Sequence, residues 1–280
     1  MSKNFFNKES FFIRQFQSKL IGDDGAIIDN NKIVVGDAFF ENVHFKRDWL
    51  TLEEIAYKSV SVNISDIYAM NAMPQYGILT VAIPNYFNKN DLIKLASGFQ
   101  QAQKDFNFEI IGGDTIANNK LDISLTVIGK LMGKALKRDG LKHGDFLAYT
   151  GVLGTSARDL RNLFHGWNIS KKSVFIKPKL QIKFIKKSAH FLTAGLDISD
   201  GLYSELSHLS KMSKIGIKIF NKFNKKIGCS GEEYQLLFGV KANNLKKVTA
   251  LGKAVGTKIT VIGRASRGKL FINRCKPHHF

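Results

Sequence analysis

The fold is determined by residues 77–129, which read GILTVAIPNYFNKNDLIKLASGFQQAQKDFNFEIIGGDTIANNKLDISLTVIG. Both ends of this stretch, residues 77–83 and 122–129, are rich in β-branched residues and lie between turn residues, which predicts two strands. Residues 91–106 between them predict a helix capped by Asn90 or Asp91. Alternation of strands and helices without a Gly-x-Gly-x-x-Gly pattern predicts an α/β (α+β) fold that is not of the dinucleotide-binding type.

The flanking sequence extends this alternation in both directions. Upstream, phenylalanines at roughly helical spacing up to Leu20 predict an amphipathic first helix, followed by a strand at residues 32–35 and a helix at residues 52–70. Downstream, residues 145–150 predict a strand that enters a glycine turn, and residues 178–188 predict a basic helix. The whole chain is therefore expected to be built from strands and helices in turn.

Glycines and charged residues interrupt the apolar pattern between residues 131 and 144. A chain of 280 residues is long enough for two domains of ordinary size. We therefore expect one α/β domain at residues 1–135 and a second at residues 136–280.

Aspartates beside glycine or serine are the candidate site residues, in the motifs Gly22-Asp23-Asp24-Gly25, Gly36-Asp37, Asn63-Ile64-Ser65-Asp66, Gly112-Gly113-Asp114-Thr115 and Asp197-Ile198-Ser199-Asp200-Gly201. Any one motif is as well explained by an ordinary turn, which glycine and aspartate favour. Asp37 and Asp114 each follow an apolar run, so both carboxylates are expected at strand ends, where α/β sheets bind ligands. Carboxylates at sharp turns are ligands for Mg²⁺, so the set predicts an enzyme that handles magnesium-bound nucleotide.

For each of three segments the sequence allows two explanations. Asp66 lies in an apolar helical stretch, where it either faces solvent or is held by a partner such as a metal ion. Asp197 and Asp200 flank a predicted strand-to-helix junction, where they bind metal or the junction merely caps a helix. Residues 150–156 either present backbone N–H groups to a phosphate or form an ordinary turn.

Composition limits the other classes of function. Lysine and arginine outnumber aspartate and glutamate 42 to 23, giving a net charge of +19, but the lysines are scattered as on a solvated surface. A basic nucleic-acid-binding protein stays open as an alternative, although it leaves the acidic motifs unexplained. Cys229 and Cys275 are expected to be reduced thiols of a cytoplasmic protein. Neither a signal peptide nor a membrane-spanning apolar stretch is expected.

Several common catalytic motifs are missing from the sequence. There is no Gly-x-x-x-x-Gly-Lys-[Ser/Thr] phosphate loop, no protein-kinase catalytic loop, no Gly-x-Ser-x-Gly elbow and no His-Glu-x-x-His zinc helix. His44 is the histidine nearest the acidic motifs, and a lone histidine is more often structural than catalytic. Nucleotide chemistry here would therefore depend on the aspartates.

Taken in order, the motifs resemble those of the thiamine-monophosphate kinase family, within the superfamily of aminoimidazole ribonucleotide synthetase and selenophosphate synthetase. The resemblance runs from about Gly22 to Phe238. The motifs that match are Gly-Asp-Asp, Asp37 with His44-Phe45, residues 62–70, Gly112-Gly113-Asp114-Thr115, residues 197–202 and Ser230-Gly231-Glu232-Glu233-Tyr234. It implies direct in-line transfer of the γ-phosphoryl group of ATP to thiamine monophosphate, giving thiamine diphosphate with several Mg²⁺ ions. It also implies a two-domain fold of the aminoimidazole ribonucleotide synthetase type and a homodimer whose N-terminal sheets join in a barrel.

The resemblance also assigns roles to single residues. The implied magnesium ligands are Asp24, Asp37, Asp66, Asp114, Asp197 and Asp200, with the backbone carbonyl of Gly36. Gly113, Asp114, Arg138 and Ser199 would contact ATP, while His44 and Glu232 would lie on the thiamine side. No general base is implied, because the second pKa of a phosphate monoester, near 6, leaves the acceptor largely dianionic.

Departures from the family pattern leave alternatives open. Val35 and Gly36 replace hydroxyl residues, Glu233 replaces an aspartate, and Pro277 falls where an aromatic residue would contact the substrate. The chain is also shorter than typical members, in its C-terminal half. The alternatives are another ATP-dependent member, such as a purine-pathway synthetase or a selenophosphate synthetase, and a degenerate member that retains ATP binding without activity. Selenophosphate synthetase is disfavoured because no cysteine precedes Cys229.

Overall fold

The structure, a computed structural model, describes residues 8–275. Its helices are α1 (Lys8–Ile13), α2 (Leu52–Ala69), α3 (Lys89–Phe106), α4 (Thr155–Phe164), α5 (Ile182–Ser188), α6 (Leu202–Met212), α7 (Lys225–Gly228) and α8 (Leu245–Ala254), with 3₁₀ turns at Ala189–Phe191 and Ala242–Asn244. Its strands are β1 (Ala26–Ile28), β2 (Lys32–Phe40), β3 (Ala72–Pro84), β4 (Glu109–Asn118), β5 (Asp122–Leu131), β6 (Phe146–Thr150), β7 (Leu192–Asp197), β8 (Gly216–Ile219), β9 (Leu236–Val240) and β10 (Ile259–Ser266). Strands and helices alternate, so the predicted mixed α/β fold is confirmed.

Within residues 8–275 the strands form two five-stranded sheets, ordered β1-β2-β5-β3-β4 and β7-β9-β6-β10-β8. In the first sheet only β3 and β4 pair in parallel, while the pairs of the second sheet are antiparallel. One packed apolar core runs from Ile33 in the first sheet to Phe238 in the second. The division into domains at residues 135 and 136 stays a prediction.

Helix α2 lies between the two halves of the molecule. Thr51 and Glu54 form a capping box at its start, with each side chain accepting a hydrogen bond from the other's backbone N–H. Nearly every residue along the helix is buried, as expected for a helix that packs on more than one side. Its polar side chains are therefore fixed by neighbours from both halves.

Strands β2 and β4 are longer than the sequence predicts, which changes the position of two motifs. Asp37 and Asp114 were expected at strand ends, but both lie in the middle of a strand. The expectation was wrong because glycine does not end these strands. At Gly113 the backbone has φ of +149°, and a Cβ there would lie 1.6 Å from the Leu79 carbonyl oxygen. The close approach of β4 to β3 at this position therefore requires glycine.

Two local predictions need correction at the N-terminal side. The first helix ends at Ile13 rather than continuing to Leu20, and Phe11, Phe12 and Phe16 are exposed, so the helical spacing of these phenylalanines does not mark a buried face. Phe5 and Phe6 lie outside the described residues, as does Pro277 at the other end. The N-cap of α3 is Asn88, whose side chain accepts hydrogen bonds from the backbone of residues 90 and 91.

The expected reduced thiols were also wrong, since Cys229 and Cys275 form a disulfide with their Cα atoms 5.5 Å apart. A separation of 46 residues along the chain says nothing about distance in space, and the C-terminal segment returns to the end of α7.

None of the helices within residues 8–275 is both long and apolar enough to cross a membrane.

Candidate active site

Three carboxylates from distant parts of the chain meet between the two sheets. Asp24 precedes β1, Asp66 lies near the end of α2 and Asp197 ends β7. One oxygen of each lies within 4.8 Å of the others. The sequence predicted all three as ligands, and the fold brings them together because α2 passes beside the end of β7.

Asp37 joins this cluster from the helix-facing side of β2. Its backbone N–H donates to Asn63 Oδ1 at 3.1 Å, and the charges of Asp37 and Asp66 influence each other. Burial, followed by the charge of Asp24, raises the pKa of Asp37 to about 6. We refer to Asp24, Asp37, Asp66 and Asp197 as the acidic cluster.

The electrostatics of the acidic cluster indicate a cation site. Burial raises the pKa of Asp66 and of Asp197 well above the usual range, and neighbouring carboxylates raise both further. The pKa of Asp24 is also raised by burial, although Arg138 opposes the shift. Converging carboxylate oxygens are the donors that Mg²⁺ prefers, and a divalent cation would relieve their mutual repulsion, so the residues fit this metal.

Hydrogen bonds fix the orientation of Asp197. Ser65 Oγ donates to Asp197 Oδ2 at 2.6 Å, and the Asp197 backbone N–H donates to Asp24 Oδ2 at 3.3 Å. Helix α6 begins after Gly201, and no side chain caps it, so Ser199 and Asp200 do not serve as caps. The predicted strand-to-helix junction is therefore confirmed, and its carboxylates are left for another role.

Arg138 is the cation already present beside the acidic cluster. Its guanidinium pairs with Asp24 Oδ1 through Nε, at 3.1 Å, and through Nη2, while its backbone N–H donates to Asp23 Oδ1 at 2.8 Å. The segment between the two sheets is thus tied to the acidic motif at residues 22–25. For Arg138 to contact ATP as predicted, its guanidinium would have to release Asp24 and bind phosphate instead.

Asp200 and Ser199 lie next to the acidic cluster but are held by other groups. The Asp200 backbone N–H donates to Glu205 Oε1 at 3.2 Å. The Ser199 carbonyl accepts from the backbone N–H of Glu232 at 2.7 Å, which places the Glu232 loop against the loop after β7. Glu232 itself has φ of +55° and pairs with Lys58.

Asp114 and Gly113 are not part of this cluster. Asp114 aligns with Thr80, Ser124 and Ala38 across the sheet, a row of exposed residues, whereas Asp37 aligns with buried Leu125. The two aspartates therefore belong to opposite faces, three strands or about 14 Å apart. Within one chain, the sequence-predicted set is divided into the acidic cluster and a separate position on β4.

His44 lies four residues after the end of β2. Its Nδ1 accepts a hydrogen bond from the Phe40 backbone N–H at 3.0 Å, and its ring stacks on Phe39 with 5.6 Å between centroids. The imidazole is therefore held by β2, the same strand that carries Asp37 and Gly36.

The glycine turn before α4 is filled by a side chain of this chain. Buried Glu233 accepts hydrogen bonds from the backbone N–H groups of Gly154, at 2.7 Å, and Ser156, at 3.2 Å, and from the Ser230 hydroxyl. Of the two explanations kept for residues 150–156, the structure favours the one without phosphate, because the anion at this helix start is Glu233.

Sequence reasoning missed Ser65, Asn63 and Glu205 as supports of the site, and it missed Lys58 entirely. Ser65 and Asn63 lie inside the motif that carried Asp66, and helical spacing could have indicated Asn63, which is three residues before the aspartate. Lys58 is a charged residue in the same apolar helix, the feature that drew notice to Asp66. Glu205 carried no signal, since its partner depends on the loop after β7.

Comparison of the sequence with known proteins shows which family this chain belongs to. Residues 22–131 match the profile of the family described as AIR synthase related protein, N-terminal domain. Thiamine-monophosphate kinase from Buchnera aphidicola subsp. Schizaphis graminum is 33% identical, and the alignment covers 92% of this chain and 87% of that protein. The enzyme of the same name from Bacillus subtilis is 34% identical, over 71% of this chain and 66% of that protein. The chain belongs to the thiamine-monophosphate kinase family.

Solved structures agree with this fold. The crystal structure of thiamine monophosphate kinase from Aquifex aeolicus superposes with a TM-score of 0.82 at 24% identity, covering 94% of both chains. A structure described as AaThiL complexed with AMPPCP and TMP has the same TM-score and identity, covering 94% of this chain and 90% of that one. A chain of the HypE–HypF complex also superposes, at 0.77 and 20% identity. These structures show the fold alone, and the family assignment rests on the sequence relatives.

Proposed function

We propose that this chain transfers the γ-phosphoryl group of ATP to thiamine monophosphate, forming thiamine diphosphate and ADP. Membership of the thiamine-monophosphate kinase family supports the substrates. The single structural observation that carries the proposal is the convergence of Asp24, Asp66 and Asp197 between the two sheets. Phosphoryl transfer between two polyanions depends on positioning and on neutralisation of charge, which this arrangement suits.

The acidic cluster would hold Mg²⁺. Bound there, the metal would supply neutralisation of phosphate charge and a fixed geometry for the two phosphates. Asp197 is kept in orientation by Ser65, and Asp37 by the Asn63 contact to its backbone. The roles of Gly36 and Asp200 as further ligands, and the number of ions, rest on the family resemblance.

The two substrates would meet at this cluster. Arg138 pairs with Asp24, which suits the triphosphate of ATP, and Ser199 lies in the loop after β7, where its carbonyl accepts from the Glu232 backbone. His44 and Glu232 lie toward Phe39 and Lys58, which suits the organic part of thiamine monophosphate. The dianionic acceptor needs no proton removed, so direct in-line transfer without a phosphoenzyme follows.

We propose that the active form is a homodimer built on the first sheet, in which that sheet and its symmetry mate form a barrel. Strand β4 is an edge strand exposed on both faces, and Ile111 and Ile116 are each 53% exposed. The face of the sheet opposite α2 also exposes Ile78 and Tyr76. An exposed edge strand of this length, with isoleucines at its surface, invites pairing with a second copy. Residues 1–135 and 136–280 would then be the dimerisation domain and the second domain.

The dimer would also give Asp114 and Gly113 a role. They lie on the exposed edge strand, away from the acidic cluster of their own chain. Pairing along this edge would bring Asp114 of one protomer toward the site of the other, where it would contact magnesium-bound ATP. Asp114 of each protomer would then contribute to the site of its partner.

The deciding experiment mixes the protein with ATP, Mg²⁺ and thiamine monophosphate and separates the products by chromatography. Thiamine diphosphate should form together with an equal amount of ADP. A panel of other acceptors, including those of the purine-pathway and selenophosphate synthetases, should release no ADP. Absence of thiamine diphosphate with intact ATP binding would identify a degenerate member instead. Tight, salt-sensitive binding to DNA or RNA would support the basic nucleic-acid-binding alternative.

A further inference from the structure

Lys58 is a charged side chain in the middle of the molecule. It lies in α2 with its side chain 0% exposed. Its ammonium group is 3.6 Å from the ring centroid of Phe175 and 5.7 Å from that of Phe39. Cation–π contacts are weak compared with the cost of burying an unpaired ammonium. A lysine held this way requires a carboxylate beside it.

Glu232 is that carboxylate. Its Oε2 lies 3.1 Å from Lys58 Nζ, joining residues 174 positions apart in the sequence. Burial lowers the pKa of Lys58, and the Glu232 charge opposes the shift. The glutamate side chain is 23% exposed, so it remains accessible to a ligand while the lysine does not. One of its oxygens is thus fixed from inside the protein.

Lys58 is also connected, through the Phe39 ring, to His44, the second residue assigned to binding of the acceptor. Phe39 contacts the Lys58 ammonium on one side and stacks on the His44 ring on the other. His44 and Glu232 come from opposite halves of the chain, and the path between them runs through Phe39 and Lys58. The backbone N–H of Glu232 meanwhile donates to the Ser199 carbonyl, in the loop after β7.

We propose that Lys58 is a positioning residue for the acceptor, which acts by fixing the Glu232 carboxylate toward the cationic, heteroaromatic part of the substrate. This inference rests on the proposed function. Fixing one carboxylate oxygen by an ion pair determines the direction of the other, so the substrate does not have to order the side chain on binding. Lys58 itself does not touch the substrate.

The test compares steady-state kinetics of the wild type and the Lys58→Met variant, varying each substrate in turn. Loss of the ion pair should lower kcat/KM for thiamine monophosphate by about tenfold or more, equivalent to about 1.4 kcal/mol. The KM for ATP should remain at the wild-type value, because the Arg138 guanidinium pairs with Asp24 rather than with Glu232. A merely structural lysine would not separate the two substrates in this way.

Lys177→Met is a matched control. Lys177 also pairs with a carboxylate, Asp105 at 2.9 Å, and lies over an aromatic ring, Tyr57 at 4.2 Å, but it is more than half exposed. Its kinetics should equal those of the wild type for both substrates. A loss there as large as that of Lys58→Met would overturn the inference, since the effect would then not depend on Glu232.

Glu232→Gln and the double variant Lys58→Met/Glu232→Gln complete the cycle and cover the case in which Lys58→Met does not fold. The double variant buries no unpaired charge and should have the same kinetics as Glu232→Gln alone, because Lys58 acts through Glu232. A further tenfold loss in the double variant would contradict a positioning role. If the wild type makes no thiamine diphosphate, the proposed function fails. If the wild type is active and Lys58→Met is unchanged, only this inference fails.

Discussion

Ser65 donates a 2.6 Å hydrogen bond to Asp197 across 132 positions of sequence, joining α2 to the end of β7. Hydrogen bonds that orient ligating carboxylates commonly contribute tenfold or more to metal affinity. We expect Ser65→Ala to weaken Mg²⁺ binding by about tenfold, seen as a higher Mg²⁺ concentration for half-maximal activity. Ser61→Ala is the control, because Ser61 donates only to a carbonyl one turn earlier in the same helix. Equal Mg²⁺ dependence in the two variants would argue against the role of Ser65.

Replacing Asp66 by asparagine should separate stability from activity. The carboxylate is buried among others, so its removal should raise the melting temperature of the metal-free protein while turnover falls sharply. High Mg²⁺ should partly restore turnover, and the shift of melting temperature caused by Mg²⁺ should shrink. Asp29→Asn, at an exposed ion pair with Lys32, should change none of these. A wild-type response to Mg²⁺ in Asp66→Asn would remove Asp66 from the metal site.

The acidic cluster also sets the direction of a pH effect. Asp37 has a pKa of about 6 in the folded chain, above its usual value, so the folded state binds more protons than the unfolded state between about pH 4 and 6. Its contribution favours folding at low pH and is lost as pH rises through this window. Calorimetry in chelator should therefore show a fall in melting temperature with rising pH that is steeper in the wild type than in Asp37→Asn. Identical slopes would mean that Asp37 titrates normally.

Sharing of Asp114 across the dimer can be tested by complementation. Asp66→Asn and Asp114→Asn should each be nearly inactive as homodimers. In a heterodimer of the two, one site would keep both aspartates if Asp114 serves the partner's site, giving about half of wild-type activity. If each Asp114 served its own chain, both sites of the heterodimer would be damaged and activity would stay near zero. Light scattering of the wild type establishes the oligomeric state beforehand.

Glu233 should be important for stability rather than for substrate binding. Glu233→Ala leaves the buried N–H groups of Gly154 and Ser156 without their acceptor, at a cost of about 1–3 kcal/mol each. Denaturant unfolding should show this loss, while the KM values of the remaining folded enzyme stay unchanged. Asp48→Ala, at an exposed position outside β4, is the control. A rise in the KM for ATP would instead indicate that the α4 turn binds phosphate.

Sequence patterns predicted the strands, the long helices and the aspartates of the acidic cluster, because each of these depends on local spacing or on a short motif. The failures concern long-range geometry. Nothing near Asp114 reveals that β4 continues through the motif, and nothing near Cys229 reveals that Cys275 returns to it. Lys58 was missed because a charged residue in a helix is usually solvated, and only the packed fold supplies Glu232 as its partner.

Glu232 and Glu233 are consecutive, yet the first is bound by α2 and the second by the start of α4. An insertion or deletion of a single residue between Ser230 and Tyr234 would move one of the two out of reach of its partner. This segment should therefore tolerate substitution better than any change of length. Random insertion libraries of the gene should yield active clones in surface loops such as residues 165–172 and none here.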